Sequence, residues 1–226
     1  MESLIRDSIE TRVHSVLAKI RSATEKAGRS TGSVRLVAAT KMVAIEQITE
    51  GVQAGLSLLG ENRVQEALTK IPAFKNSPVQ WHFIGQLQRR KVRSVIGVFD
   101  LIHSVDSLDL VQEIDRRAGD AGLSQDVLLE INIGNEPTKA GFCPDDVRQA
   151  VSEITRFSHV RIKGLMTIPP RTADPGSARP YFRKLNELAK TIDALHLPSV
   201  KMDELSMGMS NDYEVAIEEG ATLVRV

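Results

Sequence analysis

Eight short apolar runs, separated by stretches of helical periodicity, constrain this chain more than any other feature. The runs are VRLVAAT (34–40), SLLGE (57–61), QWHFIG (80–85), DLIHSV (100–105), DVLLEINI (126–133), RIKGLMTI (161–168), ELSMG (204–208) and TLVRV (222–226). Between them lie AIEQITEGVQAG, RVQEALTKI, RRKVRSVIGV, SLDLVQEIDRRAGDAG, DDVRQAVSEITRF, ARPYFRKLNELAKTIDAL and NDYEVAIEEG, several opening on Ser, Asp or Pro and several closing on Gly, as helix capping favours. Strands that are apolar almost throughout are covered on both faces, and strand-then-helix alternation covers a parallel sheet with helices. Eight strands point to a closed (β/α)8 barrel of the TIM type, an α/β fold in a single domain over 1–226, with an open doubly wound sheet as the competitor.

Ahead of the first run, Leu4, Ile5, Ile9, Val13, Val16, Leu17 and Ile20 recur at three- and four-residue steps. They predict an extra amphipathic helix of about six turns, ended by Gly28 and Thr31-Gly32. No linker or low-complexity tract divides the chain; IPPRTADPGSARP (168–180) reads as a mobile loop after the sixth strand. A complete barrel continues past its eighth strand into a further helix, whereas the sequence given stops at Val226. Either a tail follows, or residues 3–28 cover that face.

Composition narrows the partners. Lys plus Arg and Asp plus Glu are 29 each, so the formal net charge is zero, and neither nucleic acid nor an anionic membrane is expected as partner. The one cysteine, Cys143, excludes a disulfide within the chain and suggests a reducing compartment. The amino terminus has charges throughout and no signal-like apolar core, and no run approaches the roughly 20 apolar residues of a membrane span. The expectation is a cytoplasmic monomer.

In such barrels the active site lies at the carboxyl ends of the strands. Those ends carry Thr40-Lys41, Glu61-Asn62, His82 with Gly85-Gln86, His103-Ser104, Asn132, Met166-Thr167, Ser206-Met-Gly-Met-Ser210 and Arg225. Lys41 directly follows an apolar strand, where its amine can reach into the mouth and attack an aldehyde; it reads equally as a phosphate-binding charge or a surface lysine. Ser210 precedes a helix expected from Asn211, which suits either an anion site or a plain N-cap. Arg225 lies in a buried strand and needs a partner, whether an anion, an aromatic nitrogen or a carboxylate. Asn62 is a polar strand end or a helix cap. His82, His103 and Cys143 lack metal-ligand spacing, so no metal is expected, and the Walker, Gly-x-Gly-x-x-Gly and Gly-x-Ser-x-Gly patterns are absent. The basic run QRRKVR (88–93) reads as a solvated helix face.

The segments AATK (38–41), GENRVQEA (60–67), HFIGQLQ (82–88), HSVDS (103–107), INIGNEPTKAGF (131–142), GLMTIPP (164–170) and LSMGMSNDYEVAIEEGATLVRV (205–226) resemble, in this order and over essentially the whole chain, the pyridoxal phosphate homeostasis protein family. That family is similar to the N-terminal domain of alanine racemase. The resemblance implies a barrel that binds pyridoxal 5′-phosphate (PLP) and acts in vitamin B6 balance and in amino- and keto-acid metabolism, with no firm enzymatic activity. It implies Lys41 as the Schiff-base lysine, Asn62 lining the cofactor, Ser210 as a phosphate ligand, Arg225 facing the pyridine nitrogen and Met166 packing on the ring. It implies also a Gly-Thr-x-x-Phe-Gly segment after that arginine, which the sequence given does not reach.

A guanidinium beside the pyridine nitrogen keeps it unprotonated and weakens the ring as an electron sink, which disfavours carbanion chemistry. Tyr181 and Tyr213, the two tyrosines, fall in predicted helices, so a two-base racemase lacks a part. No catalytic residue is assigned. The leading reading is a cofactor carrier or buffer; the alternatives are a PLP-dependent amino-acid racemase or lyase, and a Schiff-base aldolase barrel without the cofactor.

Overall fold

The computed structural model describes residues 8–171 and 173–226. All eight runs form strands: β1 Arg35–Ala39, β2 Leu58–Glu61, β3 Gln80–Phe83, β4 Leu101–Val105, β5 Gln125–Glu130, β6 Val160–Met166, β7 Val200–Met209 and β8 Leu223–Arg225. They pair in parallel in sequence order. β8 then returns to β1, with Arg35 opposite Leu223 and Val37 opposite Arg225, so the sheet closes. The open-sheet competitor is thereby excluded.

Side chains alternate across each strand, and the core divides accordingly. Val37, Leu58, Leu101, Leu128, Met166 and Leu223 form one small buried cluster, contributed by six strands, in the barrel interior. A larger cluster lies between the sheet and the surrounding helices. Those helices are α1 Ile9–Lys26, α2 Ile45–Gln53, α3 Val64–Lys70, α4 Leu108–Asp120, α5 Val147–Ile154, α6 Arg179–Asp193 and α7 Tyr213–Glu218. On α6, Phe182, Leu185, Ala189 and Ile192 recur at three- and four-residue steps and are buried against β6 and β7; each large apolar side chain contributes about 1.5–3 kcal/mol by leaving water.

Helix α1 starts where Ser8 Oγ accepts from the Thr11 amide, and buries Val13, Ile20, Ala23 and Thr24. It packs against α2 and α7, the neighbours of the β8–β1 face. Arg29, just beyond it, donates to the carbonyls of Ile217 and Ala221 and ties it to the end of α7. Leu4 and Ile5 lie outside the described residues.

Three sequence expectations need correction. Residues 89–98 do not form an α-helix but a 3-10 turn, Arg89–Ser94. Its buried anchor Val92 and the buried residue that caps its end, Val95, are three residues apart, the repeat of that tighter helix; the exposed Arg89, Arg90 and Arg93 do make a solvated face. Strand β7 begins at Val200 instead of 204, because Val200 and Met202 alternate with Lys201 and Asp203 and present no continuous apolar run. Finally, α7 starts at Tyr213, not Asn211. The Asp212 carboxylate turns back to accept from the Met209 amide at 2.6 Å, which holds residues 209–212 in a turn and delays the helix. Ser210 is therefore not an N-cap.

Candidate functional site

The five residues singled out for the cofactor come from five consecutive staves of the barrel. Met166 ends β6, Ser210 follows β7, Arg225 ends β8, Lys41 follows β1 and Asn62 follows β2. Because β8 lies between β7 and β1, these positions form one arc along the carboxyl rim. Ser210 and Asn211 are exposed there and line a cavity of about 720 Å3, together with Lys139, Arg171, Met209 and Asp212. An adjoining cavity of about 290 Å3 is lined by Met166, Ile84, Ser104, Glu130 and Asn132. Both fall within the size range of small-molecule sites or at its edge.

Lys41 is exposed and occupies the second position of a tight turn in which the Val43 amide donates to the Thr40 carbonyl at 3.0 Å. The third residue, Met42, has φ +59° and is 88% exposed. A left-handed residue without glycine at the rim is a strained, over-determined conformation of the kind found at functional sites.

Asn62 offers a direct test of whether a polar ligand fits. Its Oδ1 is buried and has no hydrogen-bond partner among the described residues, an arrangement costly in a folded protein unless a further group binds there. Its backbone is held by Gly85, where an added Cβ would lie 2.2 Å from the Asn62 carbonyl oxygen and 2.7 Å from its Cα. Gly85→Ala is expected to cost about 2 kcal/mol by overpacking, read as a lowered denaturation midpoint; an unchanged midpoint would mean that this approach is not tight.

Arg225 is buried, and it is the end of a polar thread through the barrel. Its guanidinium donates to Ser206 Oγ and, at 2.9 Å, to the Thr167 carbonyl. Ser206 Oγ lies 2.8 Å from His103 Nδ1, and His103 Nε2 lies 2.8 Å from His82 Nδ1. Arg225 only donates, so Ser206 Oγ accepts from it, and the two ring contacts join Ser206, His103 and His82 into one continuous polar chain. His82 borders a cavity of about 500 Å3 at the amino end of the barrel, along with Arg35, Gln80 and Lys163. Burial pushes the His82 imidazole down to about 3 and holds His103 well below the usual histidine range, so both are neutral at pH 7. Burial also lowers Arg225, to about 10, which leaves it charged.

Sequence reasoning placed His82, His103 and Ser206 at strand ends without linking them, and missed Glu130. That carboxyl ends β5 at the mouth, raised above the ordinary glutamate range by burial and then by Asp106, against the opposing pull of Arg225 and Lys139. A carboxylate interrupting the apolar run DVLLEINI was the available signal. Asn132, expected within the fifth strand, lies beyond its end and braces the following loop, donating to the Glu136 carbonyl and accepting from the Glu136 amide. Tyr181 and Tyr213 sit in α6 and α7, in the outer helical layer.

The model of the alanine racemase N-terminal domain matches residues 15–226. The pyridoxal phosphate homeostasis protein of Aquifex aeolicus is 46% identical over 215 residues, covering 95% of this chain and 93% of that one. The chain belongs to the pyridoxal phosphate homeostasis protein family. Another member, from Pseudomonas aeruginosa, is 37% identical over 220 residues and covers 97% of this chain and 93% of its own. Among solved structures, PipY of Synechococcus elongatus PCC7942 with PLP bound superposes with a TM-score of 0.78 at 35% identity, covering 92% of this chain and 97% of that one. PipY thus shares this fold over nearly the whole of both chains.

Proposed function

We propose that this chain binds PLP at the carboxyl rim and serves in the homeostasis of that cofactor, with Lys41 holding its aldehyde as a Schiff base. The observation that supports the reading is the strand order from β6 to β2, which sets these five residues at consecutive strand ends of one rim, Asn62 among them with an amide oxygen that has no partner among the described residues. The names of the Aquifex and Pseudomonas relatives and the PLP-bound PipY structure support it.

Bound there, the cofactor supplies an aldehyde and a conjugated ring. The chain's own residues do the rest. Lys41 supplies the nucleophilic nitrogen, with release of water. Ser210, at the border of the larger cavity, supplies a hydroxyl to the phosphate. Asn62 contributes its free amide oxygen and Met166 an apolar surface. Arg225, fixed by Ser206 and Thr167, presents only donors, so a ring nitrogen beside it stays unprotonated. Both tyrosines belong to helices, Tyr181 to α6 and Tyr213 to α7, and neither directly follows a strand end, which gives no support to a two-base racemase. The role is therefore holding and exchange of the cofactor with amines, amino and keto acids among them, by a cytoplasmic monomer. Among the described residues no helix is long and apolar enough to cross a membrane.

The test is to mix the protein with PLP, reduce with borohydride and map the modified peptide. The label is expected on Lys41, and Lys41→Ala should lose both the label and the visible absorbance of the complex. Modification of another lysine in the wild-type protein would defeat the assignment.

A further inference from the structure

Beneath the Lys41 turn lies a buried charge cluster that the proposed chemistry does not use. Lys70, the last residue of α3, is buried. Its ammonium donates to three acceptors: the Thr40 carbonyl at 2.6 Å, Glu61 Oε1 at 2.7 Å and Glu66 Oε1 at 2.6 Å. Those three bonds use all the donors an ammonium has. Thr40 Oγ1 donates to the same Glu61 oxygen at 2.7 Å. Glu66 accepts in addition from the Met42 amide.

The geometry is specific. Residues 40 and 42 are each bound to the cluster, while Lys41 between them has no part in it. Glu61 is wholly buried in β2 and Lys70 nearly so; an ion pair in that setting costs much desolvation, and Glu61 meets it with Oε1 alone, its Oε2 having no hydrogen-bond partner among the described residues. A surface turn needs no such support, and a left-handed methionine at its third position opposes the conformation. The cluster supplies what the turn's own sequence does not.

We propose that Lys70, with Glu61 and Glu66, is a positioning device that holds the Thr40–Met42 backbone so that the Lys41 amine is presented to its aldehyde ligand in one orientation. Lys70 acts through the backbone and does not touch the ligand. The inference rests on the Lys41 reading above and deepens it.

Two variants test it. Glu66→Ala removes the partly exposed arm that holds Met42, and Lys70→Met with Glu61→Gln removes the buried pair together, so that no unpaired charge is left inside. Each is mixed with PLP and followed by the rise of the visible absorbance, then reduced and mapped. Binding of pyridoxine 5′-phosphate, which has no aldehyde, is measured in parallel. Misplacing a reacting group by an ångström slows reaction by up to about 100-fold. Rates about tenfold slower in Glu66→Ala and approaching 100-fold slower in the double variant are therefore expected, with label spreading to other lysines. Affinity for pyridoxine 5′-phosphate should stay within about twofold, below the roughly 1.4 kcal/mol of a tenfold change. Unchanged rates with the label still on Lys41 would overturn the positioning role and leave the Lys41 assignment standing. Loss of pyridoxine 5′-phosphate binding in parallel with rate would overturn it too, by showing that the cluster only maintains the fold. Label elsewhere in the wild-type protein would fell the Lys41 assignment and the positioning role with it.

Discussion

Lowering the pH from 7 to 5 is expected to remove about 4 kcal/mol of stability through His82 and His103 alone. Both are buried and neutral in the fold, the first pushed down to about 3 and the second well below its usual range, whereas in the unfolded chain each titrates near 6.5. Above about 6.5 neither state takes up the proton and the two groups contribute no pH dependence. As the pH falls below that value the unfolded chain is protonated first, so the balance shifts toward unfolding until the folded histidines titrate as well. Each imidazole contributes about 1.4 kcal/mol per pH unit once well below 6.5. Glu130 opposes the trend, since a carboxyl raised in the fold takes up its proton there before it does in the unfolded chain. Urea denaturation at pH 7, 6 and 5 measures the sum. A midpoint that does not move over this window would show that the two rings are not buried and neutral as described.

Arg225→Ala should lower stability by about 3 kcal/mol, because a buried group that satisfies two acceptors is removed and a cavity is left. The Thr167 carbonyl loses the guanidinium as a donor, Ser206 loses its cationic neighbour, and the nearby charges of Glu130 and Asp212 lose a counter-charge. For a chain of this length the melting temperature should fall by roughly 6–12 °C. Arg225→Met, of closer volume and without the buried charge, should recover part of that loss. Both variants should weaken retention of PLP. A melting temperature within about 2 °C of wild type for the alanine variant would mean that the polar thread carries little of the fold's stability.

Much of the architecture was legible in the sequence, for identifiable reasons. Runs such as LVAA in β1 and VLL in β5 are apolar on both faces because helices cover one side and the barrel interior the other, and the number of such runs pointed to closure. Val200 to Asp203 was missed because that half of β7 is amphipathic. The helix start at Tyr213 was missed because one carboxylate, that of Asp212, bonds backward. At the rim, strand ends can be named from the sequence alone, and each of the five chosen residues does lie at or just past one. Which side chains meet across the barrel cannot be read that way. His103 and Ser206 are 103 residues apart, and Thr40 and Lys70 are 30 apart. Nothing in local periodicity records either pairing, although a glutamate at the end of the apolar run SLLGE and the four-residue spacing of Glu66 and Lys70 were hints of a buried pair.

The pairing of β8 with both β7 and β1 has a consequence for how this molecule can meet others. Every stave has a neighbour on each side, so the sheet offers no open row of amide donors and carbonyl acceptors onto which a foreign strand could be added. Recognition of a second macromolecule must run through side chains on the encircling helices and rim loops, and the barrel wall itself is closed to such exchange.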